Sequence, residues 1–132
     1  MEYIQVVKYW EVKTFLLLAL LMQAAVWTAD EHKAAMNDAS DLQEDVRDAM
    51  GAQSGEKVTA AAVKLEGLMG RTGDYWAAKK QADIVKLAQA TRALAAQLAA
   101  DGKAGHLDQA AQTFQKMNAS CNACHDLHPE KR

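Results

Sequence analysis

Apolar residues recur every three or four positions along most of the chain after residue 30, and this spacing most restricts the fold. Residues with that period share one side of an α-helix, whereas a half-buried strand needs strict alternation. Alanine dominates long stretches, and the 132 residues include a single proline, so little interrupts a helix. No segment shows the alternation of a strand. The sequence therefore predicts an all-α protein.

The apolar stripes divide into four predicted helices. These cover residues 30–50, 56–69, 75–100 and 104–127. Thr28 and Glu31 have the spacing of a capping box at the start of the first helix, which applies only if cleavage of the N-terminal segment spares Thr28. Gly70 and Gly73 are expected to end the second helix, with Asp74 as the N-cap of the third. Short connections favour antiparallel neighbours, so the expected fold is an up-down-up-down four-helix bundle.

The first 29 residues have the anatomy of a secretory signal. Lys8 and Lys13 precede an apolar run at 15–22, which small residues follow. That run is shorter than the roughly 20 residues of a membrane span, although an uncleaved N-terminal anchor is the alternative. We expect residues 1–29 to be removed on export, which leaves residues 30–132 as one domain without a stable membrane span.

Both cysteines of the chain lie in the motif Cys121-Asn-Ala-Cys124-His125. This is the signature of covalent haem attachment, in which each thiol bonds to a vinyl group and the histidine binds the iron. A structural disulfide would not need the histidine, and a redox-active cysteine pair normally begins a helix. Zinc held by these three side chains and His128 is a further alternative, although adjacent helical side chains point about 100° apart. The motif favours one covalently attached haem c.

A haem-attachment motif at the C-terminal end of a four-helix chain resembles the class II c-type cytochromes, the cytochrome c-prime and c-556 family. The segments ADEHKAAMNDASDLQEDV and LAADGKAGHLDQAAQTFQKMNASCNACH are also similar to the two ends of the soluble periplasmic b-type four-helix-bundle cytochrome. This resemblance implies iron ligation by an early methionine and a late histidine, here Met36 and His125. It implies a periplasmic protein with the haem where the first helix starts and the fourth ends. The b-type protein lacks the two cysteines.

Antiparallel packing independently favours Met36 as the sixth iron ligand, because the first helix starts beside the end of the fourth. Met50 lies about 21 Å further along the helix axis and is excluded. An open sixth position, His32 or Met69 are the alternatives, and His128 is expected to be exposed. The second helix should end, and the third begin, at the level of the haem. The expected pocket walls are therefore Leu65, Leu68, Met69, Tyr75 and Trp76.

The predicted haem site is compatible with two functions. Ligation by histidine and methionine predicts a periplasmic electron carrier that meets redox partner proteins, because methionine raises the reduction potential. An open sixth position predicts instead a five-coordinate, cytochrome c-prime-like protein that binds nitric oxide or carbon monoxide. An enzyme is not expected, because no convincing distal acid–base pair is present, although weak peroxidase-like activity is left open. The net charge of −2 argues against a nucleic-acid partner, and the resemblance leaves a homodimer open.

Overall fold

The structure, a computed structural model, describes residues 25–129. The predicted signal segment lies almost entirely outside the described residues, so its removal stays a prediction. No helix between residues 25 and 129 combines the length and apolar character needed to cross a membrane.

Four helices make up the described chain, which contains no strand. They are α1 (Ala29–Gly51), α2 (Gly55–Ala78), α3 (Ala82–Lys103) and α4 (Leu107–Leu127). Each helix packs against the next one along the chain. Because turns of only three residues join them, consecutive helices run antiparallel. The predicted all-α four-helix bundle is confirmed.

The first turn of α1 is held by the predicted capping box. The Thr28 hydroxyl accepts a hydrogen bond from the Glu31 backbone N–H at 3.2 Å. The Glu31 carboxylate accepts one in return from the Thr28 backbone N–H at 3.1 Å. Two of the backbone donors that a helix start leaves unpaired are thereby satisfied. The start of α1 is therefore well defined.

The expected boundary between the second and third helices is wrong. α2 continues through Gly70 and Gly73 as far as Ala78, and Asp74 lies inside it. Gly73 is buried, and a Cβ there would lie 3.9 Å from the Ala88 side chain of α3. This is an ordinary van der Waals distance, so α2 continues through a glycine that neither ends the helix nor marks a close approach.

All three turns between the helices close in the same way. One residue in each turn has a positive φ: Gln53 (55°), Lys80 (58°) and Gly105 (73°). A backbone N–H bonds back across five residues in each turn, from Ser54 to Ala49 (2.9 Å), Gln81 to Trp76 (3.0 Å) and His106 to Asp101 (2.9 Å). This pattern is the Schellman motif, which normally uses glycine at the left-handed position. Of the three turns, only the third has glycine at the left-handed position. The second turn lacks this glycine, so its position is not marked in the sequence and the predicted boundary falls too early.

The buried side chains form two clusters. The larger one fills the middle of the bundle around Leu65, Leu98 and Met117. The smaller one lies where α1 starts, α2 ends and α3 begins, and consists of Trp27, Ala35, Tyr75, Trp76 and Ile84. Cys124 of α4 packs against this second cluster. The end of the bundle that carries the haem-attachment motif is thus the aromatic end.

α2 and α3 approach each other most closely near Gly55 and Gly102. A Cβ on Gly102 would lie 2.6 Å from the Thr59 hydroxyl oxygen and 2.8 Å from the Gly55 carbonyl oxygen. A Cβ on Gly55 would overlap the Gly102 carbonyl oxygen. The Thr59 hydroxyl bonds across the same interface to the Ala99 carbonyl at 2.9 Å. Backbone-to-backbone contact therefore sets the spacing of these two helices.

Replacing Gly102 with alanine should destabilise the fold by about 1–3 kcal/mol, because the added methyl group overpacks this interface. Gly67→Ala is the matched control, since nothing lies within 4 Å of a Cβ there. Alanine in that exposed helix position should stabilise by up to about 1 kcal/mol. Urea unfolding followed by circular dichroism measures both. Equal stabilisation of the two variants would contradict the close approach.

Candidate functional site

A cavity of about 240 Å³ lies between α1 and α4, with α2 and α3 behind it. Cys121, Cys124 and His125 of the haem-attachment motif all line it. Met36 of α1 and Met69 of α2 line it as well. The remaining walls are Ala39, Ser40, Gln43, Thr72, Ala88, Thr91 and Asn122. The structure thus brings together residues from both ends of the chain that the sequence singled out.

Cys121 and Cys124 are free, partly buried thiols on successive turns of α4. Burial, with a smaller contribution from the nearby Cys124 thiol, raises the pKa of the Cys121 thiol to about 11. Burial, followed by the negative charge of Asp83, also raises the pKa of Cys124. Both sulfurs are therefore protonated at neutral pH. A redox-active pair needs the opposite shift, because the thiolate is the reactive form.

Gln43 of α1 is a cavity residue that the sequence did not indicate. Its side-chain amide donates a hydrogen bond to the Cys121 sulfur at 3.6 Å, although 78 positions separate the two residues. This contact crosses the gap between α1 and α4. No local pattern reveals a contact of this kind, because it depends on how the helices pack.

A second, smaller cavity of about 30 Å³ adjoins the first and shares Met36, Thr72, Cys124 and His125 with it. Its other walls are His32, Trp76, Ile84 and His128. This volume holds one water or a similarly small molecule. His125 therefore lines both the larger and the smaller cavity.

His32 is buried, with 7% of its surface exposed, and it lines the small cavity. Its ring stacks on Tyr75 with a centroid distance of 4.4 Å and an interplanar angle of 8°. The edge of Trp76 packs against it at 5.2 Å. Burial lowers the pKa of His32, and the positive charges of His125 and Lys79 lower it further. The imidazole is therefore held neutral.

The five expected pocket residues lie in different places. Met69 lines the larger cavity and Trp76 the smaller one. Tyr75 stands behind His32 as its stacking partner. Leu65 is 2% exposed and packs in the central cluster instead. Leu68 lines a separate groove between α1 and α2 and also touches both core clusters.

His128 is half-buried and not exposed as expected. Its Nε2 lies 2.6 Å from an Asp83 carboxylate oxygen, so the end of α4 is tied to the start of α3. Within residues 25–129, no three His, Cys, Asp or Glu side chains group as ligands of one metal ion. The four candidate zinc ligands thus do not converge, and His128 has a carboxylate as its neighbour.

The donor set fits a covalently attached haem. Two protonated thiols, an imidazole and a thioether lie on the wall of one cavity, and these are the groups that attach and ligate haem c. The cavity volume of 240 Å³ is slightly below the roughly 300–1,000 Å³ of small-molecule sites, so binding a haem would push wall side chains outward. α1 and α4 approach each other at few points and leave room for such a movement.

Comparison of the chain with protein-family models, with curated proteins and with solved structures finds no match.

Asp83→Asn should lower the thermal midpoint at pH 7, because it removes the charge that pairs with His128. The hydrogen bond from His128 holds the pKa of Asp83 below its usual value. A carboxyl group whose pKa is lowered by folding stabilises the folded state at pH values above its ordinary pKa of about 3.9. This contribution is lost as the pH falls through the pKa of the folded state. The difference between the midpoints of the variant and the wild type should thus shrink as the pH falls below the ordinary carboxyl pKa of about 3.9. Asp45→Asn, at an exposed position on α1, is the control; an undiminished difference at low pH would contradict the pairing.

Proposed function

We propose that this protein carries one electron on a haem attached covalently to Cys121 and Cys124, with His125 and Met36 as the axial ligands. The observation that carries the proposal is the shared cavity: the motif from the last turns of α4 and a methionine from the second turn of α1 line the same space. When bound, the haem supplies an iron that alternates between the ferric and ferrous states.

Attachment requires each thiol to add across the C=C bond of one vinyl group. Each addition would form one C–S bond and move the thiol hydrogen to the other vinyl carbon, with no net oxidation. The raised pKa values of both cysteines keep the hydrogen on sulfur at neutral pH. Spacing by three residues places both sulfurs on one side of α4, and both line the cavity. These features support attachment from this face of the helix.

The two proposed axial ligands differ in how firmly they are placed. His125 lies in the last turn of α4, where attachment of the haem at Cys121 and Cys124 would hold it beside the iron. Met36 is partly buried and reaches both cavities, with a flexible side chain that adapts to irregular spaces. A thioether opposite an imidazole raises the reduction potential of haem iron. This pair favours electron transfer as the function.

The cellular setting follows from the same proposal. Covalent haem attachment and the N-terminal signal anatomy both suit a protein exported to the periplasm. Its partners would be other redox proteins. A homodimer is one form in which the protein would bind them.

Binding of a diatomic gas is the second candidate function. The observation in its favour is the small cavity beside His125, whose volume of about 30 Å³ suits a molecule of two or three atoms. Nitric oxide or carbon monoxide would bind there if the sixth position of the iron were open. The two candidates therefore differ in whether a side chain occupies that position.

Covalent haem should survive denaturation. After co-expression with a c-type maturation system, the protein should stain for peroxidase activity on a denaturing gel, and its intact mass should show the haem and the loss of about the first 25 to 29 residues. Cys121→Ser/Cys124→Ser should lose the stain. The control Ala119→Ser/Ala123→Ser adds the same hydroxyls to α4 and should keep it. Stain that persists without the cysteines would rule out thioether attachment.

The visible spectrum tests Met36. The oxidised protein should be low-spin and show the weak long-wavelength charge-transfer band of a sulfur ligand, and the reduced protein should respond little to carbon monoxide. Met36→Ala should abolish the band, whereas Met50→Ala on the same helix should keep it. Because truncating a buried methionine costs about 2–5 kcal/mol, helix content is checked first. A high-spin wild type that binds carbon monoxide readily would favour gas binding.

A further inference from the structure

His32 has a polar atom that the fold does not explain. Its Nε2 is buried and has no hydrogen-bond partner in the structure, although only 7% of the residue is exposed. Buried polar atoms are nearly always paired, so an exception indicates a missing ligand or a functional role. The atom belongs to a side chain that lines the small cavity beside His125. The side chain that carries the unpaired nitrogen and the proposed iron ligand His125 therefore border one space.

The position of His32 is fixed from two directions. The stack on Tyr75 and the edge contact with Trp76 hold its ring. A ring held on two sides keeps its free nitrogen directed at one place and loses little conformational entropy on binding a ligand.

His32 and Met36 are alternatives for the same position. They are four residues apart on α1, so their side chains lie on one face about 6 Å apart along the axis. Both line the small cavity together with His125. Imidazole nitrogen is a good ligand for haem iron, as is methionine sulfur. The end of the bundle thus presents two donors to one iron coordination site.

We propose that His32 is a reserve axial ligand, which binds the iron through Nε2 whenever Met36 is not coordinated. This inference rests on the proposed function, because it needs a haem held by Cys121, Cys124 and His125. Loss of the sulfur ligand then converts the site to ligation by two imidazoles and does not leave it open. The protein keeps a six-coordinate, low-spin iron that excludes carbon monoxide and nitric oxide.

The experiment compares Met36→Ala with Met36→Ala/His32→Phe, both prepared as full chains with covalent haem. Phenylalanine keeps a ring for Tyr75 and Trp76 to pack against but removes the nitrogen. Met36→Ala/His106→Phe is the control, because His106 is exposed at the opposite end of α4. Visible spectra and electron paramagnetic resonance report the spin state, and carbon monoxide titration reports access to the ferrous iron.

Met36→Ala and its His106 control should be low-spin without a sulfur band. The variant that also lacks His32 should be high-spin. Its apparent dissociation constant for carbon monoxide should be lower by about tenfold or more, because no internal ligand competes for the iron. If the double variant fails to fold, Met36→Ala alone decides the question. A high-spin iron in this variant would overturn the inference. A retained sulfur band would also overturn it, because Met69 would then be the replacement ligand. Absence of covalent haem from every variant and from the wild type would overturn the proposed function as well.

Discussion

Stacking of the His32 ring on the Tyr75 ring, at a centroid distance of 4.4 Å, fixes the start of α1 against the end of α2. The candidate site depends on this contact, because α1 has few contacts with α4 to hold it in place. Met36 follows one turn after His32, so the same stack fixes its position. Aromatic stacking between α1 and α2 therefore determines which α1 side chains stand opposite the haem-attachment motif of α4.

The bundle is packed unevenly, and the site lies where packing is loosest. α2 and α3 touch through backbone at Gly55 and Gly102. Between α1 and α4, by contrast, lies the larger cavity. The Gln43 amide of α1 donates a hydrogen bond across this gap to the Cys121 sulfur of α4. Tight packing on one side gives the bundle a rigid frame, and the open side can widen without disturbing it. A bulky planar group attached to α4 would occupy the space between α1 and α4.

Helix periodicity was sufficient to predict the fold class, because four apolar stripes need four buried faces. It does not locate the second turn, because Gly73 lies inside α2 and the turn is made by Lys80, an unusual residue for the left-handed conformation. The motif made Cys121, Cys124 and His125 identifiable, and antiparallel geometry added Met36. The burial of His32, the pairing of His128 with Asp83 and the position of Gln43 depend on contacts between distant segments, for which a single sequence carries no local signal.

The polar walls of the larger cavity indicate that this space is more than a packing defect. Thr72 and Thr91 are almost fully buried, yet each hydroxyl donates to a carbonyl of its own helix, Leu68 and Leu87 respectively, at 2.8 Å. They can therefore face the cavity without an unsatisfied donor. The Thr91 hydroxyl also lies 2.6 Å from the Ser120 hydroxyl, so it is paired across the interface between α3 and α4 as well. Small side chains whose hydroxyls are paired in this way leave open the volume that the proposed haem would need opposite the two thiols and the imidazole.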